Sequence, residues 1–168
     1  MSRPPDSRSQ DLGPAPITFR KATEADRAAV ETLQRAAYER NRTLLGVEPL
    51  PLQADYAEIF RTMEVWLAEE RDQLRGVLIL QARADDLLIW SIAAAPGAQR
   101  QGLGQIMLDA ADVRADQLGR DVIRLYTGSV LAQLIGWYHR HGYQVESEED
   151  IGDRHITHMV KQLIRRQS

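Results

Sequence analysis

The sequence predicts one α/β domain of mixed strands and helices, and three observations carry that prediction. The chain has 168 residues, 43% of them apolar, which suits one core rather than two. Its hydrophobic spacing switches between the strand period of two and the helix period of about 3.6, in the order β-α-α-β-β-β-α-β-α-β-β. Near its centre an apolar segment, Leu87 to Ala93, runs into a loop with two close glycines and then into an amphipathic helix.

Residues 1–15 read as a disordered lead-in. Residues 1–16 hold four of the seven prolines and few large apolar groups, too few to bury the surface that ordering requires. The domain is assigned to 16–168. Ile17 to Arg20 alternates apolar and polar, a short strand. Thr23 opens a helix, with Asp26 where a capping box places its acid. Val30, Leu33 and Ala37 share one face of that helix, and Arg27, Glu31 and Arg35 lie largely on the other. Asn41 to Leu52, with Gly46, Pro49 and Pro51, reads as a loop. Tyr56, Ile59, Phe60 and Met63 suggest a second short helix.

Three strands follow: Glu64 to Glu69, Gly76 to Gln81, and Leu87 to Ala93. The last is apolar enough to be buried on both faces. Asp85 and Asp86 read as the turn between two of them rather than as a metal or catalytic pair. After Pro96, Leu103, Ile106, Ala110 and Val113 repeat at helical spacing, and Gly119 stops the helix. Val122 to Thr127 is a strand. Ser129 is the expected N-cap of a helix through Leu131, Leu134, Ile135 and Tyr138 that ends at Gly142. Tyr143 to Glu146 and Ile156 to Val160 form a closing pair of strands around an acidic loop.

Composition excludes several function classes. There are 21 Lys and Arg against 24 Asp and Glu, a formal net charge of -3, so nucleic acid is not expected as a partner. The absence of cysteine removes disulfides, thiolate nucleophiles and zinc–cysteine sites. The longest charge-free apolar stretch near the middle, Leu87 to Ala98, has 12 residues, short of the roughly 20 that a membrane helix needs. The first residues lack the apolar run of a signal peptide. A cytoplasmic location without membrane attachment is the expectation. His155 and His158 lie three apart on a strand, so they face opposite ways, and no metal site is expected.

The loop from Gln99 through Arg100, Gln101 and Gly102 to Gly104 is the informative segment. The first turn of the helix after it offers unpaired N–H groups and the positive end of the helix dipole. Glycines at 102 and 104 let a ligand approach the backbone, and together these features suit a phosphate or pyrophosphate. Met107 stands where a dinucleotide fingerprint needs a third glycine. Gln105 and Ile106 stand where a P-loop needs Lys and Ser or Thr. The residues alone leave a tight turn without a ligand equally open.

This segment, with Pro96 and a strand before it, resembles the acetyl-CoA loop of the GNAT N-acetyltransferase superfamily, Gln/Arg-x-x-Gly-x-Gly/Ala. About 35 residues on, Trp137-Tyr138-His139-Arg140-His141-Gly142-Tyr143 is similar to the end of that family's fourth helix. The two motifs stand in the family's order, and the resemblance covers nearly all of the chain expected to be ordered. It implies a mixed, mostly antiparallel twisted sheet with about four flanking helices. It implies acetyl-CoA as co-substrate, held by backbone N–H groups around Arg100, Gln101, Gly102 and Gly104, with its pantetheine arm along Ile92 and Ala94. It implies Tyr138 as the proton donor to the leaving sulfur. From composition alone, Tyr138 reads as well as a core aromatic. Leu131 stands where the family often has an Asn, seven residues before the Tyr.

The implied reaction is direct acetyl transfer to a primary amine, which needs no covalent enzyme intermediate. A non-catalytic acyl-CoA-binding sensor or regulatory module is the alternative. An alkyl ammonium, with a pKa of about 10.4, must lose a proton before it attacks. Glu39, Glu48 and the run Glu146 to Asp150 are base candidates or plain surface. Acidic residues at Glu48, Asp55, Glu58, Glu146, Glu148, Glu149 and Asp150 favour a cationic acceptor, a small molecule or a peptide. His139 and His141 are candidates for contact with phosphate or substrate. The later strands leave an edge through which a homodimer is expected.

Overall fold

The computed structural model describes residues 15–98 and 102–164. The expected lead-in over residues 1–15 therefore falls, except for Ala15, outside the described residues. Gln99, Arg100 and Gln101 lie outside them as well.

Seven strands form one sheet in the order β1-β2-β3-β4-β5-β7-β6. They are β1 (Thr18–Lys21), β2 (Glu64–Glu70), β3 (Gln73–Ala82), β4 (Leu87–Ala94), β5 (Val122–Gly128), β6 (Gln144–Ile151) and β7 (Arg154–Gln162). Every neighbouring pair is antiparallel except β4 and β5, which run parallel. That exception follows from the connection. β4 and β5 are joined by a helix, α4 (Leu103–Gln117), and such a crossover returns the chain in the same direction. The other helices are α1 (Arg27–Leu45), the single turn α2 (Leu50–Gln53), α3 (Tyr56–Thr62) and α5 (Ala132–Arg140).

Strand alternation sends side chains to two cores. Val65, Leu67, Val77 and Ile79 meet α1 and α3 through Val30, Leu33, Tyr56 and Ile59. Leu78, Leu80, Leu87 and Ile89 meet α4 and α5 through Leu103, Met107, Leu108, Ala111 and Tyr138. The sheet thus separates an α1 face from an α4 face.

Several boundaries differ from expectation. α1 runs five residues into the supposed loop and stops before Gly46, and Leu50–Gln53 forms a further turn of helix. α4 buries Leu103, Met107, Leu108, Ala111 and Ala115, whereas Ile106 and Val113 are exposed. Apolar residues lie around most of this helix, and Ala111 and Ala115 let it approach the sheet closely, so packing chose the buried face. Ser129 does not cap α5. Its hydroxyl pairs with Thr157 Oγ1 at 2.8 Å, and Leu131 holds the cap position. The acidic loop is β6 itself, joined to β7 at Gly152 and Asp153, since cross-strand pairing continues to Ile151 and Arg154. Asp85 and Asp86 do form a turn. Asp86 is buried and bonds Arg83 Nη2 at 2.6 Å and Arg124 Nη1 at 2.9 Å.

Candidate active site

The sheet opens at the parallel pair. β4 and β5 are in register only from Leu87 with Ile123 to Ile89 with Leu125. β4 carries an extra residue at Trp90, because Ile79 pairs with Ser91 while Leu80 pairs with Ile89. Such a bulge bends and twists its strand. Beyond it β4 continues against β3, and β5 continues against β7, so a gap opens between them.

A cavity of about 780 Å³ fills that gap. Ile92, Ala94, Gly104 and Tyr138 all line it, so four of the predicted site residues converge. Gly102 is the N-cap of α4 and has φ +77°, a left-handed conformation that glycine adopts without strain. Leu131 also lines the cavity, as a buried apolar wall where an Asn would have offered polar groups.

Tyr138 is buried in the last turn of α5, its ring 5.1 Å from Trp137 and 5.9 Å from Tyr143. Burial pushes its phenol well above the usual tyrosine value, with Tyr38 and Tyr143 adding to the effect. It is therefore a protonated hydroxyl throughout the neutral range. Neither His139 nor His141 lines the cavity. His139 Nδ1 lies 3.2 Å from the Tyr143 carbonyl, and His141 packs on the Trp137 ring.

The expected acids stand elsewhere. Neither Glu39 nor any of the seven acidic residues that favoured a cationic acceptor lines the cavity. Glu48 faces Arg42, Glu146 faces Arg124, Glu149 faces His158, and Asp55 caps α3. Strand pairing of Glu146 to Asp150 is what draws that run out of the loop. The charged or imidazole side chains that do line the cavity, among the described residues, are Arg40, Asp153, Arg154 and His155. His155 Nδ1 lies 2.5 Å from Asp150 Oδ1, and Arg154 donates to the Glu48 carbonyl across the cleft mouth at 2.6 Å. Among the described residues no group of three His, Cys, Asp or Glu could hold a metal. No described helix is long and apolar enough to cross a membrane.

Sequence reasoning missed a polar set on α1. Gln34 and Ser91 are buried, and Tyr38 lines the cavity beside them. The only signal in the sequence was a Gln on the apolar face of α1, next to Leu33.

Comparison with known proteins gives a consistent family. The profile of the acetyltransferase (GNAT) domain matches residues 61–145. An uncharacterized N-acetyltransferase of Bacillus subtilis, YvbK, is 32% identical over 95 residues, which cover 55% of this chain and 61% of that protein. The PaiA N-acetyltransferase of Thermoplasma acidophilum, solved with coenzyme A, aligns at TM-score 0.70 and 17% identity over 88% of this chain and 99% of that one. A GNAT acetyltransferase of Elizabethkingia anophelis with acetyl-CoA bound aligns at TM-score 0.63 and 16% identity, over 88% and 98% respectively. At such identities the two structures speak for the fold.

Proposed function

Since the chain belongs to the GNAT acetyltransferase family, we propose that it moves an acetyl group from acetyl-CoA to a primary amine by direct transfer. The observation that carries this is the opened β4–β5 gap, with α4 starting at Gly102 on one side and Tyr138 in its wall. The cavity fits the donor: it is lined by the β4 edge and it reaches Gly104 in the first turn of α4. Anion-binding N–H groups of that turn suit the pyrophosphate, and Gln99, Arg100 and Gln101, outside the described residues, are proposed as further contacts to it. Ile92 and Ala94 border the path of the pantetheine arm.

Acetyl-CoA supplies an activated acyl group. The chain's own residues hold it, admit the amine from the α1 face and manage protons. The amine nitrogen bonds the carbonyl carbon, the C–S bond breaks, and Tyr138 gives its proton to sulfur. A free thiol has a pKa of about 8.5, so the phenol is the weaker acid and assists a leaving group that departs tolerably by itself. Among the lining groups, His155, tied to Asp150, is the one suited to take the ammonium proton, directly or through water. Among the described residues Asp153 is the one carboxylate in the lining, which speaks for an acceptor other than a polycation.

The exposed edge strand β6 is the surface for a homodimer, and a monomeric mass at tens of micromolar would reject that part. The reading as a whole is tested by thiol release from acetyl-CoA across a panel of amines, aminoglycosides and peptides. Turnover with any of them supports the enzyme. Tight CoA binding without turnover supports the sensor or regulatory module instead.

A further inference from the structure

Gln34 on α1 and Ser91 on β4 are 0% and 3% exposed. Gln34 Nε2 donates to Ser91 Oγ at 2.9 Å, and Ser91 Oγ lies 2.9 Å from the Tyr38 hydroxyl. A buried amide and hydroxyl need partners, yet apolar residues of the same shape would satisfy packing as well. An amide nitrogen only donates, so Ser91 Oγ accepts from it. The 2.9 Å contact lets either Ser91 or Tyr38 donate to the other, and Gln34 Oε1, at 3.4 Å, is a second acceptor for Ser91. When Ser91 donates, the Tyr38 hydrogen is free for a partner in the cavity that Tyr38 lines.

The position is specific. Ser91 is the second residue past the last β4–β5 pair, where the sheet opens. Tyr38 reaches it from the α1 face, and Tyr138 reaches the same cavity from the α4 face. Burial raises the Tyr38 phenol, opposed by Ser91 and the Ile92 backbone, so its proton stays in place at neutral pH. Tyr126 of β5 lines the cavity too, and of its three phenols among the described residues Tyr38 and Tyr138 stand on opposite sides of the strand edge along which the acyl arm would lie.

Resting on the acetyl-transfer reading, we propose that Tyr38 is a catalytic residue whose hydroxyl donates to the carbonyl oxygen of the acetyl thioester. When the C–N bond forms, the carbonyl π pair moves onto that oxygen and the Tyr38 hydrogen bond strengthens. When the C–S bond breaks, the pair returns to the carbonyl and sulfur receives the Tyr138 proton. Gln34 and Ser91 are positioning residues, because they aim the phenol and touch no reacting atom.

The test needs no knowledge of the acceptor. Acetyl-CoA with an isotope-labelled carbonyl is bound to the protein, and the carbonyl stretch is read by infrared difference spectroscopy. In the wild type the stretch should fall below that of free acetyl-CoA. In Tyr38→Phe it should return toward the free value, and in Ser91→Ala part of the way, each variant being read at an acetyl-CoA concentration that calorimetry shows to saturate it. An unchanged stretch in Tyr38→Phe overturns the assignment even though the donor site stands. No binding by the wild type removes the donor site and this assignment together. Once an acceptor is known, kcat of Tyr38→Phe should fall by about 10²-fold, the scale of a lost oxyanion donor. A raised KM for the acceptor at constant kcat would instead show that Tyr38 grips the amine.

Discussion

Trp137 of α5 covers Gly104 of α4: a Cβ placed on that glycine would stand 3.0 Å from Trp137 Cζ2 and 3.1 Å from Cη2. The first turn of α4 and the last turn of α5, which carries Tyr138, are thus packed directly together. Gly104→Ala should push the indole aside and shift its neighbour Tyr138. Overpacking of this kind costs about 1–3 kcal/mol. Thermal melts should show that loss, and the loss should shrink in a Trp137→Phe background, where the smaller ring leaves room.

Gly102 tests the phosphate site. A Cβ there meets nothing within 4 Å, so Gly102→Ala suffers only the left-handed backbone, about 1–2 kcal/mol. Gly102→Glu adds a negative charge at the N-terminus of α4. Calorimetry should find CoA affinity abolished in Gly102→Glu and far less affected in Gly102→Ala. Equal affinity in wild type and Gly102→Glu would rule the loop out as the pyrophosphate site.

For Tyr138, Tyr138→Phe keeps the ring contacts to Trp137 and Tyr143 and removes the donor. CoA affinity should stay near wild type. The chemical step should slow by at least about 10²-fold under single-turnover conditions, the scale of a lost general acid. An unaltered chemical rate would assign the proton to water and leave the acetyl-transfer reading intact.

Asp86 joins the β3–β4 turn to β5, and Arg124 carries the connection on to Glu146 of β6. The Arg83 guanidinium, then Arg124, hold the Asp86 carboxyl below its usual range, against the opposing effect of burial. A depressed carboxylate contributes stability above its unfolded pKa, about 3.9, and loses it as pH falls through the lower folded value. Asp86→Asn should therefore cost about 1–2 kcal/mol at pH 7, the arginines being partly solvated. In denaturant titrations the gap from wild type should narrow as pH drops below about 4. A gap independent of pH would mean that shape, not charge, makes the contribution.

The sequence by itself determined the order of elements apart from α2, the central buried strand, and the helices that begin after Gly102 and end after Tyr138. These depend on local periodicity and on spacing along one strand–loop–helix unit, which propensity and burial pattern report directly. It did not determine which face of α4 is buried, because apolar residues surround that helix and only the sheet selects among them. It misread the acidic run from Glu146 to Asp150 as a loop, because pairing with β7 outweighs the weak strand propensity of those residues. The opening of β4 from β5, the placing of the acids outside the cavity, and the chain from Gln34 through Ser91 to Tyr38 were decided by tertiary structure alone. Gln34 and Ser91 are 57 residues apart. Contacts at such separation arise from how the sheet twists and splays, and no spacing within either segment encodes them.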